Sequence, residues 1–316
     1  MEALAIAPAK TILFGEHFVV LGKPAIAMAI GLYAYVSVKE FTHGIHVEST
    51  KLNSLNRKSL KPIKLATQST LDYLGISRVS LKIDINSFIP IGVGLGSSAA
   101  VSVATIAAIT RFFGIDLDRK KIHELAFIPE KEIHGKPSGI DQTTSIYGGI
   151  IFFKPNKGFE RIPCEELQLI IGNTKITRST KTLVNRVKEL LDKNKDYVIK
   201  LQESYESLYD EAIKAIKLKD FNKIGELMIK NHELLKKLGV SHEILDKFVE
   251  KAIEAGAFGA KLTGAGGGGC MIALADKERM NRVAEALCEI GGEVIIANID
   301  KEGVRTKILR GNLLEY

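Results

Sequence analysis

Three stretches of this 316-residue chain combine residue types that perform chemistry. The densest is Pro90-Ile-Gly-Val-Gly-Leu-Gly-Ser-Ser-Ala-Ala100, in which Gly92, Gly94 and Gly96 alternate with apolar residues before two serines. Glycines permit left-handed dihedrals and close backbone approach. The loop reads directly into a small-residue helix from Ser98 to Phe113, whose free N–H groups and positive end attract phosphate. Pro90, Gly92, Gly94, Leu95, Gly96, Ser97, Ser98, Ala99 and Ala100 are therefore the expected nucleotide-phosphate contacts. Ser97 and Ser98 can cap that helix, and a hydroxyl there can also ligate Mg²⁺. No P-loop string exists, since Gly22-Lys23 is followed by Pro24. No acidic residue sits where a dinucleotide fingerprint requires one. Another phosphate-binding architecture is implied.

The second stretch is Glu130-Lys-Glu-Ile-His-Gly-Lys-Pro-Ser-Gly-Ile-Asp141. Phosphoryl transfer to an alcohol benefits from one carboxylate that accepts the hydroxyl proton and a second that holds magnesium. Asp141 and Glu130 can fill these roles, and the turn at Pro137-Ser-Gly139 would fix Asp141. The third is Lys261-Leu-Thr-Gly-Ala-Gly-Gly-Gly-Gly269, with five glycines in six positions. A structural turn needs one or two, whereas a loop that presses its backbone against a ligand needs several. Gly264 and Ala265 are expected to meet the substrate. Near the N-terminus, Lys10 can pair with a carboxylate and favour its charged form. Glu16 and His17 are polar residues inside an apolar run, so they must find partners or line a site.

The elements around these stretches indicate an α+β protein. Strands are expected at Leu4–Ala7, Lys10–Phe14, Ala34–Lys39, Ile45–Glu48, Val79–Ile85 and Tyr147–Lys154. Helices are expected at Pro62–Tyr73 and Arg119–Phe127. Lys154-Pro-Asn-Lys-Gly158 reads as a hinge between a phosphate-binding domain, 1–158, and a second domain, 159–316. Beyond a strand at Leu167–Gly172, two amphipathic helices carry the stripes Leu201, Tyr205, Leu208, Ala212, Ile216 and Phe221, Ile224, Met228, Leu234, Leu235, Leu238. A helix from a Ser241 cap to Ala255 follows, then strand, glycine-rich turn, strand (Met271–Ala275), helix (Lys277–Ile290) and strand (Glu293–Asn298).

Composition narrows the class. The chain is 46% hydrophobic and 26% charged, and its net charge of +7 comes from 44 basic and 37 acidic residues. The lysines fall at helical spacing beside glutamates, which reads as a solvated face rather than a nucleic-acid surface. A modest positive field suits a polyphosphate and a carboxylate as substrates. No apolar run can span a bilayer, and the N-terminus lacks a basic segment and a cleavage site, so a cytosolic protein is expected. Cys164, Cys270 and Cys288 are odd in number and widely spaced, which argues for free thiols.

Together these pieces resemble the family of galactokinases, homoserine kinases, mevalonate kinases and phosphomevalonate kinases, over nearly the whole chain. Within it, Lys10 with Phe14-Gly-Glu-His-Phe-Val-Val20, His134-Gly-Lys-Pro-Ser-Gly-Ile-Asp141 and Asn231-His-Glu-Leu-Leu-Lys-Lys-Leu-Gly-Val-Ser241 are similar to the mevalonate kinases. Gln142 and Phe18 depart from the usual Asn and small residue. The resemblance implies two α+β domains, the first like ribosomal protein S5 domain 2 and the second ferredoxin-like, with ATP at their junction. It implies Asp141 as catalytic base, Lys10 as its electrostatic partner, and Ser98 and Glu130 as magnesium ligands. Glu16, His17 and Thr180 look like substrate-side contacts. The implied reaction is ATP-dependent phosphorylation of the primary hydroxyl of mevalonate; a homodimer is compatible with it. Two alternatives stay open. One is a kinase or ATP-dependent decarboxylase of the same group acting on another metabolite such as phosphomevalonate. The other is a non-catalytic binding protein on this fold.

Overall fold

The structure is a computed structural model that describes residues 1–50, 60–135, 137–162, 167–176 and 180–309. Lys136 and Cys164, named above, lie outside the described residues. Seven strands form one sheet: β1 (Glu2–Phe14), β2 (Ala25–Glu40), β3 (Ile45–Ser49), β4 (Leu81–Ser87), β5 (Ile150–Lys154), β6 (Gly158–Ile162) and β11 (Arg305–Leu309). Their order is β11-β1-β2-β4-β3, and the long β2 divides its free edge, pairing β4 through Ala34–Glu40 and β5 through Ala25–Met28. Ala3, Ala5 and Ala7 alternate into the core along β1. Their small side chains let α3 (Ser97–Phe112), itself rich in alanine, pack close to the sheet. α2 (Lys61–Tyr73), α4 (Arg119–His134) and α5 (Ile140–Tyr147) cover the rest of α3, so nearly its whole circumference is buried.

The second sheet holds β7 (Gln168–Asn173), β8 (Gly259–Leu262), β9 (Cys270–Leu274) and β10 (Glu293–Asn298), all antiparallel, in the order β10-β7-β9-β8. Helices α6 (Thr180–Lys193), α7 (Lys195–Leu218), α8 (Phe221–Lys237) and α9 (Glu243–Glu254) separate β7 from β8, and α10 (Lys277–Glu289) separates β9 from β10. This is the split β-α-β-β-α-β pattern of a ferredoxin-like layer. The predicted stripe of α7 is buried in full, and that of α8 is buried except for the half-buried Phe221.

Several expectations fail for identifiable reasons. Lys154–Gly158 is not a hinge but the turn of the β5–β6 hairpin, with Lys157 N–H donating to Lys154 O at 3.0 Å. The chain leaves the first sheet after Ile162 and returns to it through β11. The strand expected from Tyr147 begins only at Ile150, because Tyr147 closes α5. That helix escapes notice because of its β-branched threonines, yet Thr143 and Thr144 return their hydroxyls to the carbonyls of Gly139 and Ile140, both at 2.7 Å. Helix α4 continues past Phe127 through Pro129. Ser241 does not cap α9: the His242 ring accepts from Ile244 N–H, and the Ser241 hydroxyl donates to Asp246.

His232 on α8 ties this layer together. Its Nδ1 accepts from Leu262 N–H at 3.3 Å, and its Nε2 lies 3.1 Å from Asp246 Oδ1. Burial lowers its pKa to about 4, opposed by Asp246 and reinforced by Lys261. An unfolded imidazole titrates near 6.5, so as the pH falls from about 6.5 to about 4 the unfolded chain takes up a proton that the folded one refuses. Stability is therefore complete above that window and falls within it. Thermal melts across the window should show the decline, and His232→Gln should flatten it.

Candidate active site

A cleft of about 1610 Å³ opens between the loops of the two sheets. One wall of it is the loop between β4 and α3. Gly92, Gly94 and Gly96 take φ values of 77°, 90° and 74°, while Val93 and Leu95 between them are buried. The alternation plants two side chains in the core and turns backbone towards the cleft. Gly96 itself is the N-cap of α3, and no side chain caps the helix. The expected capping by Ser97 or Ser98 is thus absent, because both serines lie inside the helix, after its N-cap. The first-turn N–H groups of α3 remain at the cleft as an anion site.

The second glycine loop, between β8 and β9, touches the first. A Cβ on Gly264 would stand 3.0 Å from Gly94 Cα, and one on Gly269 would stand 3.0 Å from Val93 O. Gly264 also has a φ of 76°. Thr263 secures this loop to β1, accepting from Ile12 N–H at 3.1 Å and bonding Thr11 Oγ1 at 3.0 Å. Gly264→Ala combines a strained dihedral with a wedge between the loops. It should destabilise the fold by about 1–3 kcal/mol, the cost of such strain, which a thermal melt beside the unaltered protein would check.

Lys10, near the end of β1, is buried among these loops. Its Nζ donates to Gly94 O at 3.0 Å and lies 3.2 Å from Asp141 Oδ1. A Cβ on Gly96 would stand 2.9 Å from Lys10 Cγ, so the glycine is needed for the lysine to pass. Asp141 stands in the first turn of α5, after Gly139 at φ 91°, and its side chain is 33% exposed. Glu130, on α4, is buried. Burial and then the charge of Asp141 push its carboxyl up to about 7, against the lowering influence of the Ser98 hydroxyl and Lys10.

The fold brings nearly all the sequence-predicted residues to this one cleft. Lys10, Glu16, His17, Pro90, Gly92, Gly94, Leu95, Gly96, Ser97, Ser98, Glu130, Asp141, Thr180, Gly264 and Ala265 all line it. Ala99 and Ala100 do not; they are buried against the core, and Ala100 N–H already donates to Gly96 O at 3.0 Å. Thr180 opens α6 and is exposed. His17 donates from Nε2 to Ala265 O at 2.8 Å, and burial lowers its pKa. Sequence reasoning missed Lys261, which is completely buried in β8 and ion-paired with Glu16. A lysine inside the apolar strand Gly259–Leu262 was the available signal.

The donors at the phosphate end are hard oxygens from Ser98, Glu130 and Asp141, a set suited to Mg²⁺ rather than to softer metals. Among the described residues no cluster of three or more His, Cys, Asp or Glu side chains forms a ready-made metal cage. The residues therefore fit an ion that draws its other ligands from phosphate and water, as Mg²⁺ does.

The chain is similar to known proteins along most of its length. Residues 61–149 match the N-terminal domain of GHMP kinases, and residues 212–293 match the C-terminal domain of GHMP kinases. The mevalonate kinase of Pyrococcus horikoshii is 41% identical, over 96% of this chain and 97% of its own. A crystal structure of Methanococcus jannaschii mevalonate kinase superimposes with a TM-score of 0.84 at 36% identity, over 94% of this chain and 98% of that one. The L. major mevalonate kinase in complex with R-mevalonate gives 0.85 at 29% identity, over 94% and 95% of the two chains. The shared architecture is the two-domain GHMP kinase fold. On this similarity, which runs through almost the entire chain, the protein belongs to the mevalonate kinase family.

Proposed function

We propose that this protein transfers the γ-phosphoryl group of ATP to the primary hydroxyl of mevalonate, giving 5-phosphomevalonate and ADP. The observation that carries the reading is the Lys10–Asp141 pair, 3.2 Å apart beside the Gly92–Ser98 loop, in a chain related to mevalonate kinases along its length. ATP lies with its phosphates on that loop and on the N–H groups that open α3. Asp141 orients the alcohol and accepts its proton as the oxygen–phosphorus bond forms and the bond to the β-phosphate oxygen breaks. Lys10 keeps a positive charge beside the carboxylate and the transferring group, without reorganisation during the reaction. Glu16, His17, Thr180, Gly264 and Ala265 form the alcohol's side of the cleft. Ser98 and Glu130 would hold Mg²⁺, which supplies charge neutralisation across the β- and γ-phosphates when bound.

The same reading extends to a cytosolic enzyme, and no described helix is long and apolar enough to cross a membrane. Family resemblance alone supports a homodimer, which light scattering would decide. The test of function is ADP release across mevalonate, phosphomevalonate, galactose and homoserine. Release is expected with mevalonate. Preference for phosphomevalonate would transfer the assignment to the next kinase type, and no release with any alcohol would favour a binding protein.

A further inference from the structure

Lys261 lies behind Glu16, a residue that lines the cleft, and the proposed mechanism leaves this buried cation idle. It has no exposed surface, and its Nζ donates to Glu16 Oε1 and, at 2.7 Å, to Leu262 O. Glu16 is equally enclosed and lines the cleft, and its second oxygen, Oε2, has no hydrogen-bond partner among the described residues. Burying two charges is expensive, and an ion pair seldom repays that cost as stability alone. Apolar residues of similar volume would hold β8 against α1 (Glu16–Val20) at least as well. The pair's position is also unusual: one partner leads directly into the second glycine loop, and the other precedes His17, which bonds Ala265 in that loop.

We propose that Lys261 is a positioning residue for the alcohol substrate: it holds Glu16 as a carboxylate with one oxygen occupied and the other presented to a substrate hydroxyl. This rests on the alcohol-kinase reading above. Burial raises the Glu16 carboxyl and Lys261 is the main influence opposing that rise, so without the cation the protonated form gains and an acceptor becomes a donor. The lysine also fixes which oxygen is available. The Leu262 peptide is gripped from both sides, its carbonyl by Lys261 and its N–H by His232, so the cation has little room to shift. Lys10, further along β1, adds a weaker positive field on Glu16, and the Tyr205 hydroxyl on α7 feels the carboxylate's charge.

The test is a cycle of Lys261→Met, Glu16→Gln and the double variant, assayed well below each melting temperature. Each single change should raise the KM for the alcohol about 10- to 100-fold, the range for a lost hydrogen bond to a charged group, with the KM for ATP within about threefold of the starting protein. Because both act through the same oxygen, the double variant should be no worse than Glu16→Gln alone. If Lys261→Met leaves a lone buried carboxyl and fails to fold, the double variant, which buries no lone charge, still carries the comparison. A folded Lys261→Met with an unchanged alcohol KM would overturn the proposal. So would a double variant whose loss is the product of the single losses. Failure of the underlying kinase reading would look different, as absence of ADP release from the unaltered protein.

Discussion

Asp141→Asn should lower kcat by about a thousandfold or more while ATP still binds with near-normal affinity. The size follows from removing a positioned general base, which is worth about 10²–10⁴ in rate, together with the negative charge that Lys10 faces. Asparagine preserves the shape of the side chain in the first turn of α5, and the helix there is fixed by Gly139 and by the returns of Thr143 and Thr144 rather than by Asp141. Lys10 retains its bond to Gly94 O. The phosphate loop therefore keeps its form, and the defect should fall on kcat. Titration of a fluorescent ATP analogue beside a single-turnover assay separates the two. Near-normal turnover in Asp141→Asn would remove the base from the mechanism.

Lys10→Met should cost about 10²–10³ in kcat and also weaken ATP binding, a mixed signature that distinguishes it from the aspartate variant. The methionine fills the space of the lysine stem under Gly96, so packing survives, but two interactions of Nζ are lost together. One is the hydrogen bond that fixes the Gly94 carbonyl, and through it the phosphate loop. The other is the only cation within salt-bridge reach of Asp141 among the described residues. Removing it also takes away an influence that favours the ionised form of Glu130, whose carboxyl should become still harder to deprotonate. Full kinetics in both substrates would reveal the pattern; an effect on alcohol KM alone would contradict it.

Much of this site was legible in the chain because its chemistry is concentrated in compact strings. The alternating glycines of 92–96, the glycine run of 264–269 and the Ser-Gly-Ile-Asp turn each announce a backbone demand that ordinary turns do not make. The amphipathic stripes of α7 and α8 were equally plain, since long helices against one layer repeat their pattern many times. What stayed hidden depends on partners remote in sequence. The ion pair of Lys261 with Glu16 joins two short apolar segments, and neither segment alone says where its charge goes. Strand β11 is a short, half-exposed segment whose identity comes from pairing with β1 at the far end of the chain. Helix α5 resembles the start of a strand because threonine's propensity carries no trace of the back-bonds that hold the helix. The proposed hinge failed for a similar reason, as turn-forming residues describe a hairpin as well as a linker.

The most direct measurement is a crystal structure of the protein with mevalonate, Mg²⁺ and a non-hydrolysable ATP analogue. The account predicts the primary hydroxyl within about 3 Å of Asp141, the distance a general base requires, and the terminal phosphate over the backbone of Gly92–Ser98. A nucleotide bound away from that loop, or an alcohol oriented with its hydroxyl away from Asp141, would contradict it.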